Sequence, residues 1–329
     1  MRLNFSQRET AYGAIRILFG LVCATNVFLQ ANPAYIEHFL GSFAADWVSG
    51  QPHWLAAYGH LMAAGVAALG PAAVAWGGVV IDGLLAASLL SGIGLRYLAW
   101  FGIVYNLWLW STVGGLGGPY TAGATDPGTA IAYTLVFIFV IATRSWEGLS
   151  LYKGSPVRGR GDSARRLRTA RILFGLLWAF DTFWKWQPYF IVHAPTYLQQ
   201  AQAGQPAWVV SYIGLFLAVI GVIGPFAFGV FAAVCETAIA LSLLTGRFLR
   251  WMLPFGIIYS LGLWTTAEGW GGPYGAGFTG NKGDVLGTIN IYLFAFFFLL
   301  ASCMLPSRLA ARDAPSPHGR QAGFFGGNR

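Results

Sequence analysis

The sequence predicts an all-α membrane protein: two tandem four-helix transmembrane bundles, about eight crossings in all, related by pseudo-two-fold symmetry. Three observations carry that expectation. Of the 329 residues, 56% are hydrophobic and only 10% charged, with a mean hydropathy of +0.57. A soluble domain is usually about a quarter charged, so this chain lacks the polar surface that keeps a protein dissolved. It also carries 14 Trp, 14 Tyr and 25 Phe, and the amphipathic rings of Trp and Tyr favour bilayer interfaces. Finally, the second half of the chain repeats the first. Together these features exclude a secreted disulfide scaffold, a nucleic-acid-binding domain and a soluble enzyme.

The repeat is visible from the first helix onward. Ala14-Ile15-Arg16-Ile17-Leu18-Phe19-Gly20 returns as Ala170-Arg171-Ile172-Leu173-Phe174-Gly175, and Gln51-Pro52-x-Trp54 as Gln205-Pro206-x-Trp208. Gly70-Pro71, Asp82, and Gly92 with Arg96 return as Gly224-Pro225, Glu236, and Gly246 with Arg250. A loop, Gly117-Gly118-Pro119-Tyr120-x-Ala122-Gly123, returns as Gly271-Gly272-Pro273-Tyr274-x-Ala276-Gly277. The expected divisions are repeat one (1–147), a basic linker (148–167), repeat two (168–306) and a tail (307–329). The opening apolar stretch follows Arg2 and Arg8 as a signal peptide would. Because it recurs in mid-chain, it is read instead as a retained helix.

The apolar runs are 13–31, 54–69, 71–93, 97–113 and 128–143, then 169–186, 207–224, 226–245, 248–267 and 285–304. A helix needs about 20 residues to span hydrocarbon. Five spans per half would invert the second half relative to the first. The cations argue otherwise. All but Lys185 and Lys282 of the 20 lie near the N-terminus, at Arg96, between Arg144 and Arg171, at Arg247 and Arg250, or in the tail. Such clustering marks cytoplasmic ends. It requires an odd number of crossings between residues 32 and 95, and again between 187 and 246. The runs before Pro71 and Pro225 are then interfacial, re-entrant, or the outer part of a helix kinked at proline. Eight crossings with parallel repeats is the expectation, and ten with inverted repeats the alternative. Segments 32–53, 114–127, 187–206 and 268–284 face outward as polar connections with both termini cytoplasmic.

Cys23, Cys235 and Cys303 lie in apolar runs without metal-binding spacing and read as buried structural thiols. His53 and His60 share a helical face but have no counterparts in repeat two, so no metal site is expected. Ionisable groups inside apolar helices are costly and are functional candidates by default. Asp82 and Glu236 lie near the middle of equivalent helices, where a carboxyl group must be protonated or paired with a cation. Asp181 and Lys185 are four apart, on one helix face, where acid and base can compensate one another. Repeat one has Asn26 and Gln30 there instead, and it has Gly114 where repeat two has Glu268. The second repeat therefore keeps a charged constellation, Asp181, Lys185, Glu236 and Glu268, that the first has partly lost. Trp184 and Trp186 flank Lys185, His193 lies near the outer surface, and Trp264, Trp270 and Tyr274 border the outer loop. An aromatic, low-dielectric pocket with few polar groups suits a flat lipid-soluble ring such as a quinone, although any one of these rings also fits an interfacial belt. The Gly-Gly-Pro-Tyr strings argue for rigid outer turns that could form the lip of a site. They lack the helix-starting Lys of a phosphate cradle.

These residues resemble the DoxX/DoxD-like membrane family. Its pattern has an Arg opening the first helix, a Lys closing it, a mid-membrane Glu before a stretch ending in Gly, and an Arg shortly after. Repeat two is similar with Arg171, Lys185, Glu236, Gly246 and Arg250. Repeat one matches with Arg16, Asp82, Gly92 and Arg96, but has Gln30 for the Lys. The stretch from Trp264 to Tyr274 resembles the DoxD branch, the membrane subunit of thiosulfate:quinone oxidoreductase. The resemblance covers about 290 residues and implies a four-helix unit, electron delivery to a bound quinone, and a small partner subunit in the membrane or periplasm; no flavin, haem or iron–sulfur motif is evident in the sequence itself. It departs from the pattern in being doubled and in lacking a fused soluble partner domain.

Three functions follow as expectations. The first is a quinone-interacting oxidoreductase subunit of a bacterial or archaeal cytoplasmic membrane. In it Glu236 or Glu268 handles protons and Lys185 with Asp181 positions the quinone oxygen or an anionic substrate near the outer surface. Trp184, Trp186, His193, Trp264, Trp270, Tyr274, Arg171 and Arg250 would line the site. The second is a non-catalytic accessory subunit of a respiratory or oxidase complex. The third is a small-solute transporter with Asp82 and Glu236 as coupling groups.

Overall fold

The structure is a computed structural model, and it describes residues 7–33, 35–36, 39, 48–118, 120, 127–151, 162–272 and 287–305. The described residues form eleven α-helices and no strand. In the first half these are α1 (Gln7–Gln30), α2 (His53–Leu69), α3 (Pro71–Ser91), α4 (Leu95–Ser111) and α5 (Thr129–Thr143). In the second they are α6 (Asp162–Lys185), α7 (Pro188–Ala201), α8 (Ala207–Ile223), α9 (Pro225–Thr245), α10 (Leu249–Thr266) and α11 (Ile289–Met304). Three of them, α1, α3 and α9, are long and apolar enough to cross a membrane. The 21 residues of α3 and of α9 correspond to about 31 Å at 1.5 Å per residue. Large side chains on their outer faces, Leu84, Phe231 and Leu241 among them, are exposed, as a lipid-facing helix requires.

Each half pairs its helices in the same way. α1 packs along α3 and α4 along α5; α6 packs along α9 and α10 along α11. The halves meet through α1, α5, α6 and α11. Phe19 of α1 touches Tyr133 and Phe137 of α5 and Phe294 of α11. Phe174, its repeat counterpart on α6, touches Phe139 of α5 and Tyr292 and Phe296 of α11. At the start of α5 and α11 the hydroxyls of Thr129 and Thr288 share a hydrogen bond of 2.7 Å. The ring-filled core between the halves is continuous.

Before Pro71 and Pro225 the chain breaks. Gly70 and Gly224 take φ values of 91°, outside any helix, so α2 and α8 are separate 17-residue elements and not the outer ends of one kinked helix. A proline alone would bend the axis; the positive φ of the preceding glycine turns it. Segment 187–206, expected to be an outer polar connection, contains the 14-residue helix α7. Pro188 opens it, where a missing N–H costs nothing, and Phe190, Ala194 and Leu198 recur every four residues as its buried stripe. Cys23 and Cys235 are buried as expected, but Cys303 is exposed on the last turn of α11. Apolarity of the run therefore did not imply burial.

Candidate functional site

The second half carries a buried polar cluster. Asp181 is 4% exposed and Glu236 1%, so neither carboxyl group reaches solvent or lipid. Asp181, one turn before the end of α6, accepts a hydrogen bond from the hydroxyl of Tyr292 at 3.2 Å. Glu236, in the middle of α9, accepts one from the hydroxyl of Tyr259 at 3.1 Å. Trp178, one turn before Asp181, is fully buried with its indole between those two tyrosines, 6.2 Å from the ring of Tyr259 and 5.4 Å from that of Tyr292. Lys185 interacts electrostatically with Glu236, and its ammonium lies 4.5 Å from the centre of the Phe190 ring of α7. Asp181 likewise falls within electrostatic range of Tyr259. Four helices thus converge on one place, with two carboxyl groups, one ammonium and two phenols.

Two polar atoms of the cluster find no protein partner: the Nε1–H of Trp178, a donor, and Oε2 of Glu236, an acceptor. Buried polar groups in folded proteins are paired in about nine cases of ten, and an unpaired one costs about 1–3 kcal/mol. An unsatisfied donor and an unsatisfied acceptor in one aromatic cluster mark a place that a polar group of a ligand can bridge.

The first half repeats the arrangement with the charge changed. Asn26, Gln30, Asp82, Tyr105 and Tyr133 stand where the second half has Asp181, Lys185, Glu236, Tyr259 and Tyr292. The Asn26 amide donates to the hydroxyl of Tyr133, as Tyr292 donates to Asp181, and Gln30 hydrogen-bonds Asp82. Cys23 replaces Trp178, so the indole donor is missing. Among the described residues this half offers no ammonium beside its carboxyl group.

The other expected site residues divide among separate places. Glu268 lies beyond the end of α10 and spans the start of α11. Its Oε1 accepts from the N–H groups of Thr288 and Ile289 at 3.0 and 3.1 Å, and Oε2 from Ile289 at 3.1 Å. A carboxylate in that position satisfies orphan donors and faces the positive end of the helix. The structure therefore gives Glu268 a capping role apart from the Asp181–Lys185–Glu236 cluster with which the sequence grouped it. Trp264 packs on Trp270 at 5.4 Å, and Trp270 also meets Trp208 and Tyr212. This aromatic knot is locked to the loop by Gln205, whose amide donates to the Gly269 carbonyl at 3.0 Å. Gln51 makes the matching, longer contact with Gly115 at 3.5 Å, which explains why the Gln-Pro-x-Trp and Gly-Gly strings recur together.

Trp184 packs against Tyr120 of the first half at 6.1 Å; partial burial pushes the Tyr120 phenol up. Trp186 is 44% exposed and donates to Thr237 at 3.0 Å. His193 is exposed on α7, stacked on Tyr189 at 4.3 Å. Arg171 and Arg250 lie at the opposite end of their helices. Arg171 is 14 residues before Lys185, about 21 Å along α6, so one quinone ring cannot touch both. Tyr274 lies outside the described residues.

Trp178, Tyr259 and Tyr292 were missed by sequence reasoning. Tyr292 was legible in principle, since Gly128-Thr129-x-x-x-Tyr133 returns as Gly287-Thr288-x-x-x-Tyr292, but its offset is 159 residues and not the earlier 154 to 155. No group of three or more His, Cys, Asp or Glu able to hold a metal occurs among the described residues. Comparisons with protein-family models, curated proteins and solved structures return no match for this chain.

Proposed function

We propose that the chain is a duplicated membrane protein of DoxX/DoxD type whose second half binds a quinone head group and exchanges protons with it. The single observation that carries this reading is the buried Trp178–Asp181–Lys185–Glu236–Tyr259–Tyr292 cluster, with its unpaired indole donor and unpaired carboxyl oxygen. A quinone carbonyl oxygen accepts a hydrogen bond from Trp178, and the hydroxyl of the reduced form donates to Glu236. Reduction to the quinol needs two electrons and two protons; in this reading Glu236, to which Tyr259 donates, supplies one proton at a ring oxygen and solvent water supplies the other. Lys185 balances one carboxylate, and electroneutrality of two carboxyl groups then requires one further positive charge, which a transferable proton provides. The electrons come from a reduced sulfur compound such as thiosulfate, through a partner subunit in the membrane or at its outer face.

In the same reading the halves, 1–147 and 168–306, are parallel repeats of four crossings, in the cytoplasmic membrane of a bacterium or archaeon. Supporting it, α5 and α11 start side by side at Thr129 and Thr288, and equivalent rings (Phe19 and Phe174, Phe139 and Phe298) occupy equivalent places at the seam. The basic linker 148–167 and the tail 307–329 then lie in the cytoplasm with the N-terminus. The test is to purify the protein, extract its lipids, and assay quinone reduction. A bound quinone, with reduction lost in Lys185→Ala and Glu236→Gln at normal membrane insertion, is expected. Full activity in both variants would reject the assignment.

A further inference from the structure

Lys185 closes α6, and a lysine at the end of a membrane helix ordinarily extends its stem toward the interface, where water solvates the ammonium. Here the residue is half-buried, and its ammonium lies 4.5 Å from the centre of the Phe190 ring. Phe190 is itself buried, in one apolar cluster with Ala194 of α7 and Ala232 of α9. Tyr197, two turns further along α7, braces the ring at 5.6 Å. The ring thus meets both the ammonium and the turn of α9 that leads to Glu236, the carboxyl group with which Lys185 interacts.

The seating of α7 on α9 brings the ring there. A β-carbon on Gly229 of α9 would lie 2.4 Å from the Ile191 carbonyl oxygen and 2.7 Å from the Ile191 Cα, both backbone atoms that cannot swing aside. Glycine therefore lets α7 lie this close, and the contact falls on the residue next to Phe190. In the first half Ala75 holds the equivalent place, four residues after Pro71 as Gly229 is after Pro225, and Gln30 stands for the lysine. The glycine and the cation occur together in the second half and are both replaced in the first.

We infer that Phe190, seated by Gly229, is a positioning residue that keeps the Lys185 ammonium turned inward toward Glu236 and directs its N–H groups to oxygen acceptors. An aromatic face attracts an ammonium through its quadrupole. It holds the charge without engaging the N–H donors as a carboxylate in the same place would. The identity of the ligand whose oxygen Lys185 meets rests on the quinone reading; the placement of Lys185 does not.

The experiment has two arms, both on the purified full-length protein. The first needs no quinone: lysine amines are acylated with a small amine-reactive reagent and quantified by mass spectrometry, with Lys153 and Lys282 as internal references. Leucine keeps the apolar packing at position 190 and removes the ring face, so Phe190→Leu is expected to raise modification of Lys185 about five-fold. Gly229→Ala should do the same by lifting α7. Phe190→Tyr keeps the ring face, as Tyr35 does two residues after Pro33 in the first half, and should hold modification at the wild-type rate. Equal modification in wild type and Phe190→Leu, or Phe190→Tyr behaving like Phe190→Leu, would overturn the inference; a wild-type rate in Gly229→Ala would remove the glycine from it. The second arm is binding of a soluble short-tailed benzoquinone in a double-mutant cycle. Phe190→Leu should weaken binding about five-fold in the wild-type background and leave it unchanged in Lys185→Gln, because the ring acts through the ammonium. An equal loss in both backgrounds would make Phe190 a packing residue and overturn the inference. Absence of quinone binding by wild type, with Lys185 still protected by Phe190, would reject the quinone reading and leave the placement of Lys185 standing.

Discussion

Tyr292 and Tyr259 each hold one buried carboxyl group in place, and each can lose its hydroxyl without a change of shape. Tyr292→Phe and Tyr259→Phe are therefore expected to cost about 1–3 kcal/mol each, the range for hydrogen bonds to charged groups at its upper end, read as a lower unfolding midpoint in detergent. Gly246→Ala meets two obstacles at once, a left-handed backbone and the Arg171 guanidinium, and should cost more than about 1 kcal/mol in the same assay. At this scale the sequence was partly legible. Asp181, Lys185 and Glu236 stood out because ionisable groups are rare in apolar helices. Their hydroxyl partners did not, because a tyrosine in an apolar run looks like any other core or interfacial ring. Trp178 was hidden for the same reason, and only its burial between two phenols singles it out.

Among the elements, Glu268 shows how a charge can be conspicuous in sequence and ordinary in structure. It stood in a constellation by repeat comparison alone, since spacing within a helix cannot report what a loop residue reaches across 20 positions. Its three bonds to the first N–H groups of α11 make it a cap. Glu268→Ala should cost about 1 kcal/mol, as lost caps do, with faster amide exchange confined to the first turn of α11. Quinone binding should stay within experimental error of wild type; a loss as large as that of Glu236→Gln would return Glu268 to the site. α7 went unread because its apolar stripe is only three residues, within a segment rich in Gln, Pro and Tyr. The helix breaks at Gly70 and Gly224 were marked by Gly-Pro, but a dipeptide does not tell a kink from a turn.

For the whole molecule, the composition and the repeat were sufficient for an all-helical, membrane-compatible architecture, because both depend on summed burial and not on any one contact. The way the halves meet was not legible. It rests on Phe19, Phe174, Phe139, Phe294 and Phe296 interleaving at the seam, and phenylalanines are too common here to indicate which helix each faces. Parallel repeats place both termini and the 148–167 linker on one side of the membrane. Reporter fusions after residue 307 and within the linker should both report the cytoplasm; opposite sides would favour inverted repeats. Duplication has left two similar clusters of unequal charge, and the proposed activity belongs to the second alone. Affinity for a soluble quinone analogue, titrated against purified wild type, Glu236→Gln and Asp82→Asn, tests that most directly. Glu236→Gln is expected to weaken binding by about tenfold, the equivalent of about 1.4 kcal/mol, while Asp82→Asn leaves it unchanged. Equal affinities in all three proteins, or a loss confined to Asp82→Asn, would contradict it.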